Sequence, residues 1–350
     1  MQFKIFFSIL SLFCLQVCFS QQKDAAQVLT AQFIYDTAPF PSCHASTIAE
    51  TPDGLIAAWF GGTHEKHKDV EIWTSKFHNG EWSVPQSAAN GIQGDSSRYP
   101  CWNPVLFQYP KGPLMLFYKV GPSPVEWWGE LKTSNDSGRT WSKAKRLPDG
   151  ILGPVKNKPV LMTDGRLICP SSTESKDGLW QVHLETTTDT GKTWTSTGPL
   201  NTDSTFHIIQ PSLLLYQGKQ QLLCRSQENR IVSLWSKDGA RTWSVPDTTS
   251  LLNPNSGTDA VTLKGGWQIL VYNPTSKTKD NWGGPRSPLN VAVSKDGLQW
   301  KDILVLESAP GEYSYPAVIQ ASDNIVHITY TWNRKKIKWV SVQLPPELRP

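Results

Sequence analysis

Cysteine is sparse in this 350-residue chain: there are six, and no two stand in a C-x-x-C pair. The common structural zinc motifs are thereby excluded. Four of the six, Cys43, Cys101, Cys169 and Cys224, lie beyond the N-terminal segment and are expected to be small buried hydrophobes, although an exported chain is free to pair them. An excess of charge of one sign is lacking too. Basic residues number 34 and acidic residues 30, for a net charge of +4, so nucleic acid is not an expected partner. Beyond residue 20 no apolar run approaches membrane-spanning length, and no segment of useful length carries a helical period. Nothing in the motifs calls for a cofactor or a bound metal.

The one long apolar run is N-terminal. Lys4 precedes it, it extends from Ile5 to Phe19, and Cys18-Phe19-Ser20 closes it just before Gln21. A basic start, a short apolar stretch and small residues near a cleavage point are the pattern of a secretory signal peptide, with no stop-transfer pattern behind it. The expectation is a signal peptide over 1–20, one domain over 21–350, and export as a monomer to the periplasm or the medium.

What is abundant is a turn closed by tryptophan. Ser134 to Trp141 reads SNDSGRTW, Thr187 to Trp194 TTDTGKTW and Ser236 to Trp243 SKDGARTW. Ser75 to Trp82 (SKFHNGEW) lacks the Asp, and Ser294 to Trp300 (SKDGLQW) is one residue short. Asp and Gly suit a tight turn, and the Trp packs under it. A second signature, a short apolar strand after a polar residue and often a Pro, opens six units at His44, Asn103, Lys158, Gln210, Asp259 and Tyr315. The intervals are 59, 55, 52, 49 and 56, and each opening leads to a turn and a second β-rich run. Repeats of this length with four strands each predict an all-β, six-bladed β-propeller. The sixth unit has no Trp turn, so Ile337 to Val342 and residues near Gln32 and Phe33 are expected to close the ring. The first strand of every blade lines the central channel. The six opening residues therefore converge at one mouth, which is where a site is expected.

The Trp turns resemble the Asp-boxes of the sialidase (neuraminidase) superfamily, and the layout is similar to it over essentially the whole chain past residue 20. The resemblance implies three arginines that clamp a substrate carboxylate, a Tyr nucleophile paired with a Glu, and an Asp acid/base on a first-blade loop. Arg225, in LLCRSQENR, stands where the second arginine is implied, fifteen residues after Gln210. Arg286, in GPRSPLNVAVSKDG, fits the third. Tyr315, fifteen residues before Tyr330, fits the nucleophile, with Tyr313 a close competitor. Two positions depart from the pattern: His44, in PSCHAST, replaces the first arginine, and Gln210 replaces the Glu. The loop GGTHEKHKDVEIW offers Glu65 or Asp69 as acid/base. Two arginines and a histidine clamp an anion less strongly than three guanidinium forks. Gln210 cannot take a proton from a tyrosine; it can only orient the hydroxyl.

Plainer roles stand beside these. Arg225 could pair with Glu228 at the surface, and Tyr315 could be a core aromatic. Arg98, Asn103, Lys158 and Asp259 are further substrate-binding candidates, with Lys119, Glu126, Trp127, Trp128, Lys156 and Glu174 as rim residues. The resemblance implies an exo-acting glycosidase that removes a terminal acidic sugar from a glycan. Elimination from a uronate by His44 and Tyr315 is one alternative, and a non-catalytic glycan-binding propeller is another.

Overall fold

Runs rich in β-branched and aromatic residues fit a pleated surface buried on both faces, and Gly, Asp and Asn break them into strands. The computed structural model describes residues 25–94, 97–202, 205–278 and 281–349; the expected signal segment, 1–20, lies outside them. The runs form six antiparallel sheets, the blades of a propeller. Blade I holds Ser42–Thr51, Gly54–Gly62, Glu71–His78 and Gln86–Ala89, and blade II Cys101–Gln108, Leu114–Val120, Trp128–Ser134 and Lys145–Arg146. Blade III holds Val160–Leu161, Leu167–Glu174, Trp180–Thr187 and Thr195–Thr197. Blade IV holds Ile208–Tyr216, Lys219–Ser226, Arg230–Ser236 and Asp247–Leu252, and blade V Asp259–Thr262, Gln268–Tyr272, Leu289–Ser294 and Lys301–Glu307.

Blade VI combines the two ends of the chain. Tyr313–Gln320, Val326–Trp332 and Lys336–Gln343 are joined by Gln27–Phe33, with Gln32 opposite Trp339 and Phe33 opposite Lys338. The closure expected from the sequence is therefore present, over a longer N-terminal strand. The four cysteines among the described residues, Cys43, Cys101, Cys169 and Cys224, are buried and unpaired.

The Trp turns are built by their Asp. Asp136 accepts the Thr140 N–H at 2.9 Å and the Thr140 hydroxyl at 2.6 Å, while Ser134 Oγ donates to it at 2.7 Å. Gly138 has φ +82°, which glycine adopts without strain, and a Cβ there would stand 2.4 Å from Ile56 Cδ1, whereas the equivalent position of the Ser236 turn is taken by Ala240 at φ 64°. The Asp-less copy solves the problem differently. Asn79 (φ 52°) and Gly80 (φ 86°) make a two-residue hairpin that pairs Phe77 with Trp82.

Strand direction sorts the molecule into two faces. Inner strands run away from the mouth, second strands return to it, and third strands run away again. Starts of inner strands and ends of second strands therefore share one face. The Asp turns, which follow third strands, lie on the other.

Candidate functional site

Four inner strands are bulged at the mouth. Their registers shift near His44, Asn103, Gln210 and Tyr315. Backbone φ is positive at Ala45 (58°), Asn103 (38°), Gln210 (55°) and Tyr315 (52°). Such conformations are strained for residues with a Cβ and persist only where the surroundings hold them. Asn103, Gln210 and Tyr315 each precede a Pro, whose missing N–H leaves no donor stranded at the bulge. The bulges break the strict alternation of side chains and bring Gln210 and Tyr315 together across the axis.

Tyr315 is the centre. Its hydroxyl oxygen accepts from Arg225 Nη1 at 2.9 Å and from Gln210 Nε2 at 3.2 Å. With two donors on that oxygen, the Tyr315 O–H is directed elsewhere. Arg225 is buried and does not pair with Glu228, which instead takes the His207 N–H. Its Nε donates to Asn255 Oδ1 at 2.8 Å, and its guanidinium lies 5.4 Å and 5.2 Å from the rings of Trp180 and Trp282. Glu174 faces the same guanidinium. Burial raises its pKa, against the opposing pull of Arg225 and a hydrogen bond from Trp180.

His44 lies against Tyr315, their ring centroids 4.2 Å apart, and is 2% exposed. Its Nδ1 is buried with no partner among the described residues. Burial, and then the charges of Arg334, Arg286, Arg225 and Lys156, hold its pKa well below the usual histidine range. The imidazole is therefore neutral at neutral pH, with a nitrogen free to accept a proton.

A third arginine, absent from the sequence-derived set, stands beside His44. Arg334 follows Val326–Trp332, and its carbonyl accepts the Cys43 N–H at 2.9 Å. Its Nε donates to Glu312 at 3.0 Å and its Nη1 pairs with Glu65. Glu312 also takes Arg286 Nη1 at 3.1 Å. Glu65, Arg334, Glu312 and Arg286 thus form a chain of ion pairs around the centre. Glu65 and Glu312 raise the Arg334 pKa against its burial, whereas burial and then Arg225 lower that of Arg286. Strand parity could have found Arg334, because Arg225 likewise stands where a second strand returns to the mouth.

Other expected residues are engaged apart from Tyr315. Asp69 is occupied within its own loop, by the Thr63 N–H at 2.9 Å, the Thr63 hydroxyl at 2.5 Å and His67 Nδ1 at 2.7 Å. Partial burial opposes its charge, but the bonds from Thr63 and His67 outweigh it and hold the pKa at about 2, so at neutral pH it has no proton to give. Arg98 is held by Glu71 at 2.6 Å. Lys158 and Asp259 pair with each other at 2.6 Å, and Asp259 also takes the Val318 N–H at 2.8 Å, tying blades III, V and VI. Asn103 is buried in the blade II bulge. Tyr313 packs in the apolar core of blades V and VI, so Tyr315 is the tyrosine that meets Arg225.

Two lysines expected at the rim are interior. Lys119 Nζ donates to Pro154 O at 2.9 Å, and Lys156 Nζ to Thr258 O at 2.7 Å and Pro316 O at 2.5 Å. Glu126 does stay at the surface, 3.7 Å from Lys176.

Fold and site together define a class: a sialidase-like, six-bladed propeller with an arginine-rich centre at one mouth. A family model described as a BNR repeat-like domain matches residues 53–328, and the chain belongs to that family. Among solved structures it is similar to a protein of unknown function from Dyadobacter fermentans, at 15% identity and TM-score 0.74, over 91% of this chain and 99% of that one. It is similar to the Hadza microbial sialidase Hz136, at 16% identity and TM-score 0.72, over 92% and 69% of the two chains. The NanB sialidase of Streptococcus pneumoniae is a further likeness, at 13% identity and TM-score 0.69, over 91% and 71%. At these identities the likeness shows the fold. Among curated proteins no sequence matches. No helix among the described residues is long and apolar enough to cross a membrane.

Proposed function

We propose that the protein is an exo-acting carbohydrate-active enzyme, exported from the cell, that holds the carboxylate of a terminal acidic sugar against Arg225, Arg286 and Arg334. The observation that carries this reading is the buried contact of Tyr315 with Arg225, Gln210 and His44, with the two other arginines beside it. Guanidinium forks suit a planar carboxylate. The cross-axis links of Lys156, Lys158 and Asp259 lie below Tyr315 and favour a blind pocket that takes a chain end over a cleft that takes a chain middle.

The first reading of the reaction is sialidase-like hydrolysis. Tyr315 attacks the anomeric carbon, an acid protonates the leaving oxygen, and the same group then takes a proton from water, giving retention. Asp69, ionised from about pH 2 upward, suits the acid role poorly. Glu65 is held toward the centre by Arg334, but as one half of an ion pair it too offers no proton at rest. The second reading is elimination from a uronate, favoured by the neutral, unpaired His44 against Tyr315 and by Gln210 in place of a base. His44 takes the proton α to the carboxylate, the arginines stabilise the charge that develops, and the Tyr315 O–H protonates the β-oxygen as it leaves, so a carbon–carbon double bond forms.

A panel of sialosides and of oligosaccharides whose uronate carries a sugar at O4 as the leaving group, read by mass spectrometry with ultraviolet absorbance, separates the readings. Hydrolysis adds water across the bond. Elimination leaves a conjugated, absorbing product one water lighter. Tyr315→Phe should abolish turnover while keeping binding. If Tyr315→Phe and His44→Ala both turn over at the wild-type rate, the centre is not catalytic, and saturable binding without turnover makes the protein a glycan-binding propeller.

A further inference from the structure

Lys156 is 5% exposed, and neither reaction above uses it. It comes from the connection between blades II and III and crosses the channel axis. Its ammonium donates to the carbonyl of Thr258, at the start of blade V, at 2.7 Å, and to that of Pro316, in blade VI, at 2.5 Å. Pro316 directly follows Tyr315, whose ring centre lies 5.8 Å from the ammonium. Tyr315 is one of the left-handed, bulged residues, with φ 52°, and such a conformation needs holding from outside. Its own carbonyl is held by Ser46 Oγ of blade I at 3.3 Å, and the next carbonyl is the one held by Lys156. The peptide that aims the Tyr315 phenol is therefore clamped by the adjoining blade I on one side and by Lys156 from across the channel on the other.

We propose that Lys156 is a positioning residue for Tyr315: its ammonium pins the bulge that presents the phenol to Arg225 and Gln210, and it adds a positive charge beneath the anion-binding centre. The catalytic part of this inference rests on the function proposed above; the positional part does not. Three other groups of the same interior set the charge state of Lys156. Burial is the largest influence and disfavours the ammonium; Asp259, from blade V, favours it, Lys158 and Arg225 disfavour it, and the outcome is a pKa of about 7. His44, on blade I, faces the same charge and stays neutral. The positive charge under Tyr315 is present below about 7 and is lost above it, so the surroundings of the phenol change with pH.

Nuclear magnetic resonance of the full-length protein carrying ring-labelled tyrosine tests this without a substrate. The Tyr315 signal is identified by its absence in Tyr315→Phe. In the wild type it should move with a midpoint near 7, and in Lys156→Met it should shift, broaden and lose that titration, with the other tyrosines unmoved. Lys156→Gln is the second variant should Lys156→Met fail to fold, and the wild-type titration needs no variant. A Tyr315 signal that neither titrates near neutrality nor responds to either substitution overturns the inference. On whichever acidic glycan the panel shows to be turned over, Lys156→Gln should lower kcat by roughly tenfold to a hundredfold with a smaller change in KM. If Tyr315→Phe is inactive and Lys156→Gln has wild-type kcat, the positioning role fails and the catalytic centre stands. If Tyr315→Phe is fully active, the proposed function fails, and the resonance result alone decides the role of Lys156.

Discussion

Arg225 illustrates how one side chain is made specific by its surroundings. Its Nε is fixed by Asn255, its Nη1 meets Tyr315, and the edge-to-face pair Trp180 and Trp282 lies against the guanidinium. Arg225→Lys keeps the charge but loses the fork, so affinity for an acidic sugar should fall by roughly tenfold or more in calorimetric titration. Equal affinity would remove Arg225 from the clamp. Arg334 differs in being paired with both Glu65 and Glu312. Arg334→Ala strands Glu65 next to the centre and leaves Glu312 to Arg286 alone, so anion binding should weaken further than the loss of one fork explains. Binding at the wild-type level would show that Arg334 only braces the rim.

At the scale of single elements, the Asp turns are structural and the bulged inner strands carry the site. Hydrogen bonds from Thr140, Thr193 and Thr242 depress the pKa values of Asp136, Asp189 and Asp238, and backbone N–H groups of Gln299 and Leu298 depress that of Asp296. A depressed folded value means the contribution is complete above the unfolded aspartate value, about 3.9, and is lost as pH falls through the lower folded values. Asp238→Ala should therefore lower the unfolding temperature at neutral pH and flatten the acid limb of the stability curve, with ligand affinity unchanged. Thermal unfolding across acidic pH measures the first effect and calorimetry the second. Loss of affinity in a folded Asp238→Ala protein would contradict the separation of the two faces.

For the whole molecule, the ring is closed by Gln27–Phe33 on Lys336–Gln343, with the Phe33 ring 5.3 Å from that of Trp332. Removing residues 25–33 would leave the Lys336–Gln343 edge unpaired and uncover apolar surface, a template for association. The truncated chain should unfold at lower temperature and aggregate, as read by scanning calorimetry with light scattering. An unchanged transition would mean that closure contributes little.

The sequence by itself determined the architecture, because its signals are local. A turn needs Asp, Gly and Trp at fixed offsets, and a strand needs its apolar run, so repeat count, blade openings and ring closure are legible along the chain. His44, Gln210 and Tyr315 were legible for the same reason, as residues that open inner strands, and Arg225 through the resemblance to the sialidase pattern. What only the tertiary structure decided is what each charged group meets. Lys158 and Asp259 neutralise one another, Asp69 is spent on Thr63 and His67, and Lys156 points inward to Thr258 and Pro316. Arg334, far from His44 in sequence, arrives next to it through pairing across blade VI and packing against blade I. Asp69 apart, whose partners lie within its own loop, these outcomes depend on distances between segments a hundred or more residues apart, and no local pattern encodes them. Coulomb attraction and burial act through space, and only the closed ring sets that space.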